Sequence, residues 1–264
     1  MRWWADPFPI EYDGNVYIFV ELYKRFRALG SIGYFQLLPN GKVTRVREVL
    51  VEPFHLSFPN IFLLNGKFYM IPESEKSNQI RLYRAEKFPD EWVLDRVLAI
   101  GRRFVDTSIL FKDGKPDYLF SQDFATKELL TYKFDNRSLE LIPCLPNNRL
   151  NPERCGGNCL EIGGQVIRVL QDCSRVYGEK LLFYRLKDKQ LLDDGFASDE
   201  FIASLTSEDV KVSDYNHFER LHTLNRSANV EVIDLLEHRR IYLKPIRWLM
   251  GKTIYFYRKI KRSF

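Results

Sequence analysis

The chain has 264 residues, of which 45% are hydrophobic and 28% are charged, and this composition excludes a disordered or low-complexity protein. Its formal net charge of +5 is unevenly distributed, because residues 239–264 hold nine Lys or Arg and no Asp or Glu. The preceding part of the chain therefore carries 31 basic and 35 acidic side chains, a net charge of −4. The acidic body and the basic C-terminal segment need separate explanations.

The sequence contains a repeated pattern of two strand-like segments joined by a turn. A short apolar strand, a tight turn with glycine and a second strand rich in aromatic and β-branched residues recur along the chain. The turns, in chain order, are Asp13-Gly14, Asn65-Gly66, Asp113-Gly114, Gly163-Gly164 and a weaker copy near Ala228-Asn229. Asn-Gly and Asp-Gly favour type I′ hairpin turns, because both central residues of that turn need a positive φ.

The repeat length predicts the architecture. Successive turns lie about fifty residues apart, which leaves room for about four strands in each copy. The sequence therefore predicts an all-β protein, a five-bladed β-propeller over residues 1–236, with a basic amphipathic helix over residues 237–264. A β-sandwich is the alternative, although it would not require so regular a period.

Polar side chains recur at one end of these hairpins. Asp6 and Asp106 each lie seven residues before the Asp of their turn, and Glu21 and Glu73 each lie seven residues after the turn glycine. In a propeller these positions converge on one mouth of the central channel, where clustered carboxylates repel one another unless a ligand, proton or cation offsets the charge. A polar ligand site is expected there.

The candidate residues of this site fall into two groups. The predicted catalytic residues are Asp6, Asp106 and Glu73. The predicted substrate-binding residues are Glu21, His55, Ser57, Asp123, Arg154, Gln171, Asp172, Tyr177 and His222. For any one of them alone, a solvated strand end or an ordinary surface ion pair is the simpler interpretation, and recurrence in register is what favours a site.

No metal or other cofactor is predicted. Cys144, Cys155, Cys159 and Cys173 do not form paired CxxC motifs and have no histidine nearby, so reduced thiols are expected. An Asp-x-Asp motif of the kind used by metal-dependent transferases is also missing from the sequence, which leaves a divalent metal possible but not indicated. Residues 1–9 lack a signal-peptide pattern and no apolar run approaches the ~18 residues of a membrane span, so a cytoplasmic location is expected.

The C-terminal segment combines basic and aromatic residues at helical spacing, which is typical of a helix lying on an anionic membrane surface. The predicted membrane contacts are Arg247, Trp248, Lys252, Arg258 and Lys259. The alternative is a helix packed on the acidic body. Nucleic-acid binding is not expected, because the basic residues are confined to this segment.

Several longer motifs carry a family resemblance. They are Ala5-Asp6-Pro7-Phe8, His55-Leu56-Ser57-Phe58-Pro59, Tyr69-Met70-Ile71-Pro72-Glu73, Asp106-Thr107-Ser108, Gln171-Asp172-Cys173-Ser174, Tyr177-Gly178 and His222-Thr223-Leu224. Over residues 3–234 the chain resembles the N-terminal propeller domain of plant glucosamine inositolphosphorylceramide transferases, which is also found in bacterial formyltransferase-like proteins. That family is distantly similar to the five-bladed propellers of glycoside hydrolase family 43.

The resemblance implies carbohydrate chemistry in glycoconjugate synthesis. Compared with family 43, Asp6 matches the general base and Asp106 matches the aspartate that tunes the acid, whereas Glu153 is a displaced substitute for the general acid. A hydrolase needs such a proton donor. A transferase that uses a phosphate leaving group needs only a base and cationic stabilisation of the phosphate.

Three functions follow as expectations. The first is a glycosyltransferase that moves a sugar from a nucleotide or phospho-sugar donor to a lipid-linked or surface glycan, as in polysaccharide, lipopolysaccharide or capsule synthesis. The second is a non-catalytic module that binds a glycan or nucleotide sugar and partners a biosynthetic enzyme. The third is a hydrolase of the family 43 kind. The expected location is the cytoplasmic, inner face of a membrane.

Overall fold

The computed structural model of the protein describes residues 2–24, 28–211, 218–237 and 251–258. The regular secondary structure of these residues is almost entirely β-strand, with short 3₁₀ helices at Glu75–Ser77, Lys189–Leu191 and Ser207–Asp209. The strands are β1 (Arg2–Tyr12), β2 (Asn15–Lys24), β3 (Leu29–Leu37), β4 (Arg47–Leu50), β5 (Ser57–Leu64), β6 (Lys67–Glu73), β7 (Gln79–Lys87), β8 (Glu91–Ile100), β9 (Phe104–Lys112), β10 (Lys115–Asp123), β11 (Leu129–Asp135), β12 (Glu140–Pro143), β13 (Leu160–Ile162), β14 (Gln165–Asp172), β15 (Lys180–Lys187), β16 (Ser198–Thr206), β17 (Arg220–Arg226), β18 (Val230–Glu237) and β19 (Gly251–Arg258). No helix within these ranges is long and apolar enough to cross a bilayer.

Consecutive strands pair into five antiparallel sheets, which are the blades of a β-propeller. Sheets one to four hold β1–β4, β5–β8, β9–β12 and β13–β16, and the fifth holds β17–β19 in the described part of the chain. The first strand of each sheet lies nearest the channel. The predicted propeller class is therefore confirmed, with four four-stranded sheets and one in which three strands are described.

The predicted hairpin turns form because their residues tolerate left-handed backbone conformations. Asp13 and Gly14 have φ values of 48° and 71°, and Asn65 and Gly66 have values of 51° and 74°. Both central residues of each turn thus adopt the positive φ that a type I′ turn requires. The turns connect β1 to β2 and β5 to β6, and equivalent turns follow in the third and fourth sheets.

The prediction of a helix over residues 237–264 is wrong for Gly251–Arg258, which form β19 and pair with β18. Tertiary pairing overrides the helical spacing here, because strand β18 offers a full row of backbone partners from Val230 to Glu237. Lys252 and Arg258 therefore belong to the fifth sheet, which continues past the predicted boundary at residue 236. Arg247, Trp248 and Lys259 lie outside the described residues.

The hydrophobic core lies between neighbouring sheets. Phe62, Ile109 and Leu119 pack together between the second and third sheets, and Ile18 and Val232 pack between the first and fifth. A strand inside a blade is covered on both faces by the adjacent blades, so its sequence is apolar without alternation. This explains the continuous buried run in the middle of β2.

Three asparagines join the blades across the channel. Asn60 and Asn158 exchange two amide hydrogen bonds of 2.5 and 2.9 Å, and Asn158 Oδ1 also accepts from the backbone of Ile109 at 2.8 Å. Asn225 Oδ1 accepts from the backbone of Asn158, and its Nδ2 donates to the Pro7 carbonyl at 3.0 Å. The amides thereby link the last sheet to the first and close the ring.

We expect Asn158→Ala to lower the free energy of unfolding by about 3 kcal/mol, because the Ile109 N–H loses its acceptor and the buried Asn60 side chain loses both bonds to Asn158, keeping its bond to the Thr107 carbonyl. Urea unfolding followed by circular dichroism measures the change. Asn40→Ala is the control, since the exposed Asn40 bonds only to a neighbouring turn amide. Equal stability of the two variants would show that the amides do not hold the ring together.

Candidate functional site

A β-bulge recurs in the channel-lining strands and positions the site. In β1 the residues Asp6 and Pro7 together oppose one residue of β2, and the same irregularity occurs at Phe58 in β5 and at Asp106 in β9. Asp6, Phe58 and Asp106 all have left-handed φ values of 44° to 50°. A bulge leaves one residue unpaired and bends its strand, so these positions are turned away from the sheet ladder.

The amide groups at these bulges are satisfied by buried carboxylates. The Asp6 N–H donates to Asp234 Oδ2 at 3.0 Å, and the Phe58 N–H donates to Asp6 Oδ2 at 3.3 Å. The Asp106 N–H donates to Glu73 Oε2 at 2.9 Å. Because an orphan buried N–H is costly, each bulge draws an acidic side chain from a neighbouring strand into the channel.

The first group of side chains contains two carboxylates and a histidine. His222, at a further register irregularity in β17, lies with Nε2 2.9 Å from Asp6 Oδ1 and with Nδ1 3.4 Å from Asp234 Oδ2. All three residues are at least 95% buried. The imidazole therefore lies between a carboxylate of the first blade and one of the last blade, within ion-pair distance of both.

The second group surrounds Arg154. Its guanidinium lies 2.7 Å from Asp106 Oδ2 and 3.5 Å from Glu73 Oε2. Gln171 Nε2 donates to the same Asp106 oxygen at 2.9 Å. The guanidinium also lies 5.3 Å from the ring of Tyr177, which in turn lies 5.3 Å from the ring of His222. Tyr177 thus connects the two groups at one mouth of the channel.

The pKa values of the second group are shifted by burial and charge. Desolvation, reinforced by the charge of Asp106 and opposed by Arg154, raises the pKa of Glu73 well above its ordinary value. Desolvation, opposed by Arg154 and reinforced by the charges of Asp106, Asp6 and Glu73, raises the pKa of Tyr177 well above its ordinary value. Desolvation opposes ionisation of Arg154, but the negative charges beside it raise its pKa overall.

Glu21 and His55 form a third pair at the rim. His55 Nδ1 accepts a hydrogen bond from the Gly30 N–H at 2.9 Å, and its Nε2 lies 3.4 Å from Glu21 Oε1. A Cβ at Gly30 would lie 2.4 Å from the Leu56 carbonyl oxygen and 2.7 Å from the His55 ring. Only glycine allows this close approach, which places an imidazole and a carboxylate together beside the strand that carries Asp6.

Three of the predicted substrate-binding residues make contacts other than those of the three groups described above. Ser57 is buried and opposite Glu73 in the β5–β6 ladder. Asp123 accepts from the Ala125 amide and pairs with Arg102, and Asp172 accepts from the Ser174 amide and pairs with Lys180. The last two carboxylates therefore stabilise the loops that follow β10 and β14. In the second blade the bulged residue is Phe58, which directly follows Ser57.

Asp234 is the residue that sequence reasoning missed. It lies on the returning strand of the fifth hairpin, one residue before Leu235, which pairs with Leu221 as Glu21 pairs with Ala5 and Glu73 with Ser57. The fifth turn lacks a glycine, so the spacing rule that found the other carboxylates did not reach it. Glu153, the displaced substitute for the general acid, makes no hydrogen bond to Asp106 in the described part of the chain. Burial and the charge of Asp172 raise the pKa of Glu153.

Asp6, His222 and Asp234 are also the residues best placed to hold a cation. One ligand atom from each lies within 4.8 Å of the others, and Asp234 Oδ1 is buried without a hydrogen-bond partner in the described part of the chain. A nitrogen and two carboxylate oxygens suit several divalent metals. The same arrangement of atoms suits a histidine that lies between two carboxylates without a metal ion.

The fold and the site define a β-propeller whose channel mouth is lined by carboxylates, an arginine and a tyrosine. Solved glycosidases share this fold. The chain superposes on the catalytic domain of a Coprinopsis cinerea family 62 α-L-arabinofuranosidase with a TM-score of 0.62 at 11% identity, covering 95% of this chain and 89% of that one. It superposes on the β-xylosidase RS223 with a TM-score of 0.65 at 11% identity, covering 97% and 92%.

Residues 2–232 match the family described as glucosamine inositolphosphorylceramide transferase 1, N-terminal, and the chain belongs to that family. Glucosamine inositolphosphorylceramide transferase 1 of Oryza sativa subsp. indica is 32% identical over 195 residues, which are 69% of this chain and 26% of the rice protein. The Arabidopsis thaliana protein of the same name is 30% identical over 193 residues, 67% of this chain and 24% of that protein. The chain thus spans about a quarter of the length of these relatives.

We expect Glu73→Gln to flatten the dependence of stability on pH. The folded state holds the Glu73 proton more tightly than the unfolded state, so the free energy of unfolding falls as pH rises from the unfolded pKa through the raised folded pKa. The limiting slope for one proton is about 1.4 kcal/mol per pH unit. Urea unfolding of both proteins across this pH range measures it, and parallel curves would mean that Glu73 ionises normally.

Proposed function

We propose that the channel mouth binds a sugar and that this chain takes part in transferring it to a glycosylated phosphoinositol lipid. The convergence of Asp6, Asp106 and Glu73 around Arg154 and Tyr177 carries the proposal. Carboxylates and amides hydrogen-bond to sugar hydroxyls, and an aromatic ring packs against the apolar face of a sugar. Membership of a family named for a glucosamine transferase supports the same chemistry.

Asp6 is the proposed base. Its carboxylate takes the proton of an acceptor hydroxyl while the acceptor oxygen bonds to the anomeric carbon of the donor. The bond from that carbon to a phosphate oxygen breaks, and the phosphate leaves with the electron pair. Because the phosphate is stable as an anion, this departure needs no proton donor. His222, 2.9 Å from Asp6, positions the carboxylate for the transfer.

Arg154 is the proposed phosphate contact. It is held by Asp106 and retains its charge, and its side chain is 16% exposed. A protonated Glu73 adds no negative charge beside an incoming phosphate. A planar guanidinium can bind a phosphate bidentately. The raised pKa of Glu73 thus favours the approach of an anionic donor.

Asp6→Asn should lower the rate of sugar transfer by about 10²–10⁴-fold, because general-base catalysis is lost while the shape of the site is kept. Release of nucleotide from a panel of nucleotide sugars, in the presence of glycosylated phosphoinositol acceptors, measures the rate. Asp13→Asn, in the turn at the opposite end of β1, is the matched control. Undiminished transfer by Asp6→Asn would exclude Asp6 as the base.

A non-catalytic binding module is the second candidate. Asp6 is 5% exposed and its oxygens already face the Phe58 amide and His222, and the chain covers about a quarter of its plant relatives. In that case the propeller would hold the glycan for a catalytic partner. Saturable binding of a nucleotide sugar or glycan by calorimetry, without turnover and unchanged in Asp6→Asn, would favour the module over the transferase.

A family 43-like hydrolase is the third candidate, because burial and the charge of Asp106 raise the pKa of Glu73, as a proton donor requires. Such an enzyme would cleave an activated aryl glycoside without a nucleotide donor, and Glu73→Gln would reduce cleavage of substrates with poor leaving groups by about 10²-fold or more. Leaving-group dependence of the cleavage rate in the two proteins measures this. A chain with no activity on any aryl pentoside or hexoside would remove the hydrolase from consideration.

We further propose the cytoplasmic, membrane-peripheral location inferred from the sequence, with the sugar donor and a glycolipid acceptor as its substrates. The nine basic and no acidic side chains of residues 239–264 support a contact with anionic lipid.

A further inference from the structure

A row of side chains lies along the first blade, at the end of β1 that precedes Asp6. Trp3 and Tyr23 are paired residues of β1 and β2, and Ala5 pairs with Glu21 two residues further along. Paired residues, and residues two apart on one strand, lie on the same face of a sheet. The side chains of Trp3, Tyr23 and Glu21 therefore share one face of the blade, at its mouth end.

The aromatic rings of this row are stacked. The ring centres of Trp3 and Tyr23 lie 4.0 Å apart, with an angle of 6° between the ring planes. The Tyr23 ring lies 6.2 Å from the ring of His55, whose Nε2 lies 3.4 Å from Glu21 Oε1. Trp3 and Tyr23 are here called the aromatic platform, and this platform adjoins the imidazole–carboxylate pair of His55 and Glu21.

The aromatic platform is separate from the hydrophobic core. Trp4, on the opposite face of β1, packs with Phe35 and Val232 between the first and fifth blades. Trp3 and Tyr23 are only half-buried, and they belong to none of the apolar clusters formed by the described residues. Because a large ring gains free energy when it is removed from water, a ligand that covers the platform is favoured.

The side chains of the row suit a sugar ring. The C–H groups of a sugar form an apolar face that packs on an aromatic ring, and its hydroxyls bond to carboxylates at the edge. The side chains of His55 and Glu21 are 30% and 8% exposed beside the platform. A carboxylate oxygen has more than one acceptor position, so Glu21 can accept from a sugar hydroxyl while it also faces His55.

The spacing between the platform and Asp6 indicates the length of the ligand. Trp3 lies three residues before Asp6 on β1, which corresponds to about 10 Å at ~3.3 Å per residue of extended strand. A single sugar ring does not span this distance, whereas two linked rings do. A saccharide with one hydroxyl at Asp6 therefore places its next ring over the platform.

We propose that the aromatic platform binds the second ring of a saccharide acceptor whose terminal ring presents its hydroxyl to Asp6. The role of Asp6 in this proposal rests on the proposed function, whereas the affinity of the platform for a saccharide does not. Arg154, the proposed phosphate contact, lies beside carboxylates of the second and third blades, so donor and acceptor occupy different blades. The acceptor is thus a headgroup with at least two linked rings.

Binding without turnover tests the platform directly. Calorimetric titration of the full chain uses galactosyl-inositol, lactose and maltose, which have two rings and no phosphate, with galactose, glucose and inositol as one-ring references. We expect at least one two-ring saccharide to bind about tenfold more tightly than its component rings. Trp3→Leu should remove this difference, because the second ring loses its aromatic contact, and Trp3→Phe should restore much of it.

Tyr12→Leu is the matched control. Tyr12 lies at the opposite end of β1, is 46% exposed, and also contacts another ring, that of Phe68 at 4.8 Å. Trp3→Leu and Tyr12→Leu each remove a ring from the same strand, so a general disturbance of β1 would weaken saccharide binding in both. Thermal unfolding of each variant shows that the fold is retained.

Transfer kinetics give a second measurement. With a two-ring acceptor, Trp3→Leu should raise the KM of the acceptor about tenfold and leave the KM of the donor unchanged. With a one-ring acceptor, the variant and the natural chain should have the same KM, because that acceptor does not reach the platform.

The proposal is overturned if no two-ring saccharide binds more tightly than its component rings, or if Trp3→Leu and Tyr12→Leu weaken binding equally. An equal effect of Trp3→Leu on one-ring and two-ring ligands would also overturn it. Failure of the proposed function gives a different result, since full transfer by Asp6→Asn excludes the base and leaves the binding that depends on Trp3. Loss of transfer in Asp6→Asn, together with binding independent of Trp3, would remove only the platform.

Discussion

The structure depends on one constraint, that a backbone amide freed by a bulge inside a closed channel must find an acceptor. Water is largely excluded where the blades meet, so Asp234, Asp6 and Glu73 supply that acceptor to the bulges of β1, β5 and β9. Each carboxylate comes from a neighbouring strand or blade. The bonds that stabilise the ring therefore also gather the acidic side chains of the site.

The acidic side chains gathered in this way have different neighbours around Asp106 and around Asp6. Around Asp106, the positive charge of Arg154 opposes the negative charge, and burial together with the charge of Asp106 raises the pKa of Glu73. Around Asp6, His222 stands between two carboxylates. The net charge of such a cluster of buried carboxylates changes when a proton, a cation or a charged substrate binds. This property suits the binding of the anionic sugar donor proposed above.

Much of the fold could be predicted from local patterns. The turn pairs at Asp13-Gly14 and Asn65-Gly66 gave correct hairpins because a type I′ turn is decided by its own two residues. The positions of Asp6, Asp106 and Glu73 could be predicted to approach one another because the hairpin register counts from those turns. Asp234 was missed, since its turn has no glycine, and the bulge at Phe58 was not predicted because its residue is apolar.

The sequence by itself determined the repeat, the family resemblance and the separation of an acidic body from a basic segment, because these properties depend on residue order alone. The tertiary structure decided which polar residues meet, as with Arg154 between Asp106 and Glu73, because such contacts join distant parts of the chain. It also decided that Gly251–Arg258 form a strand, since β18 offers backbone partners that no local pattern reveals.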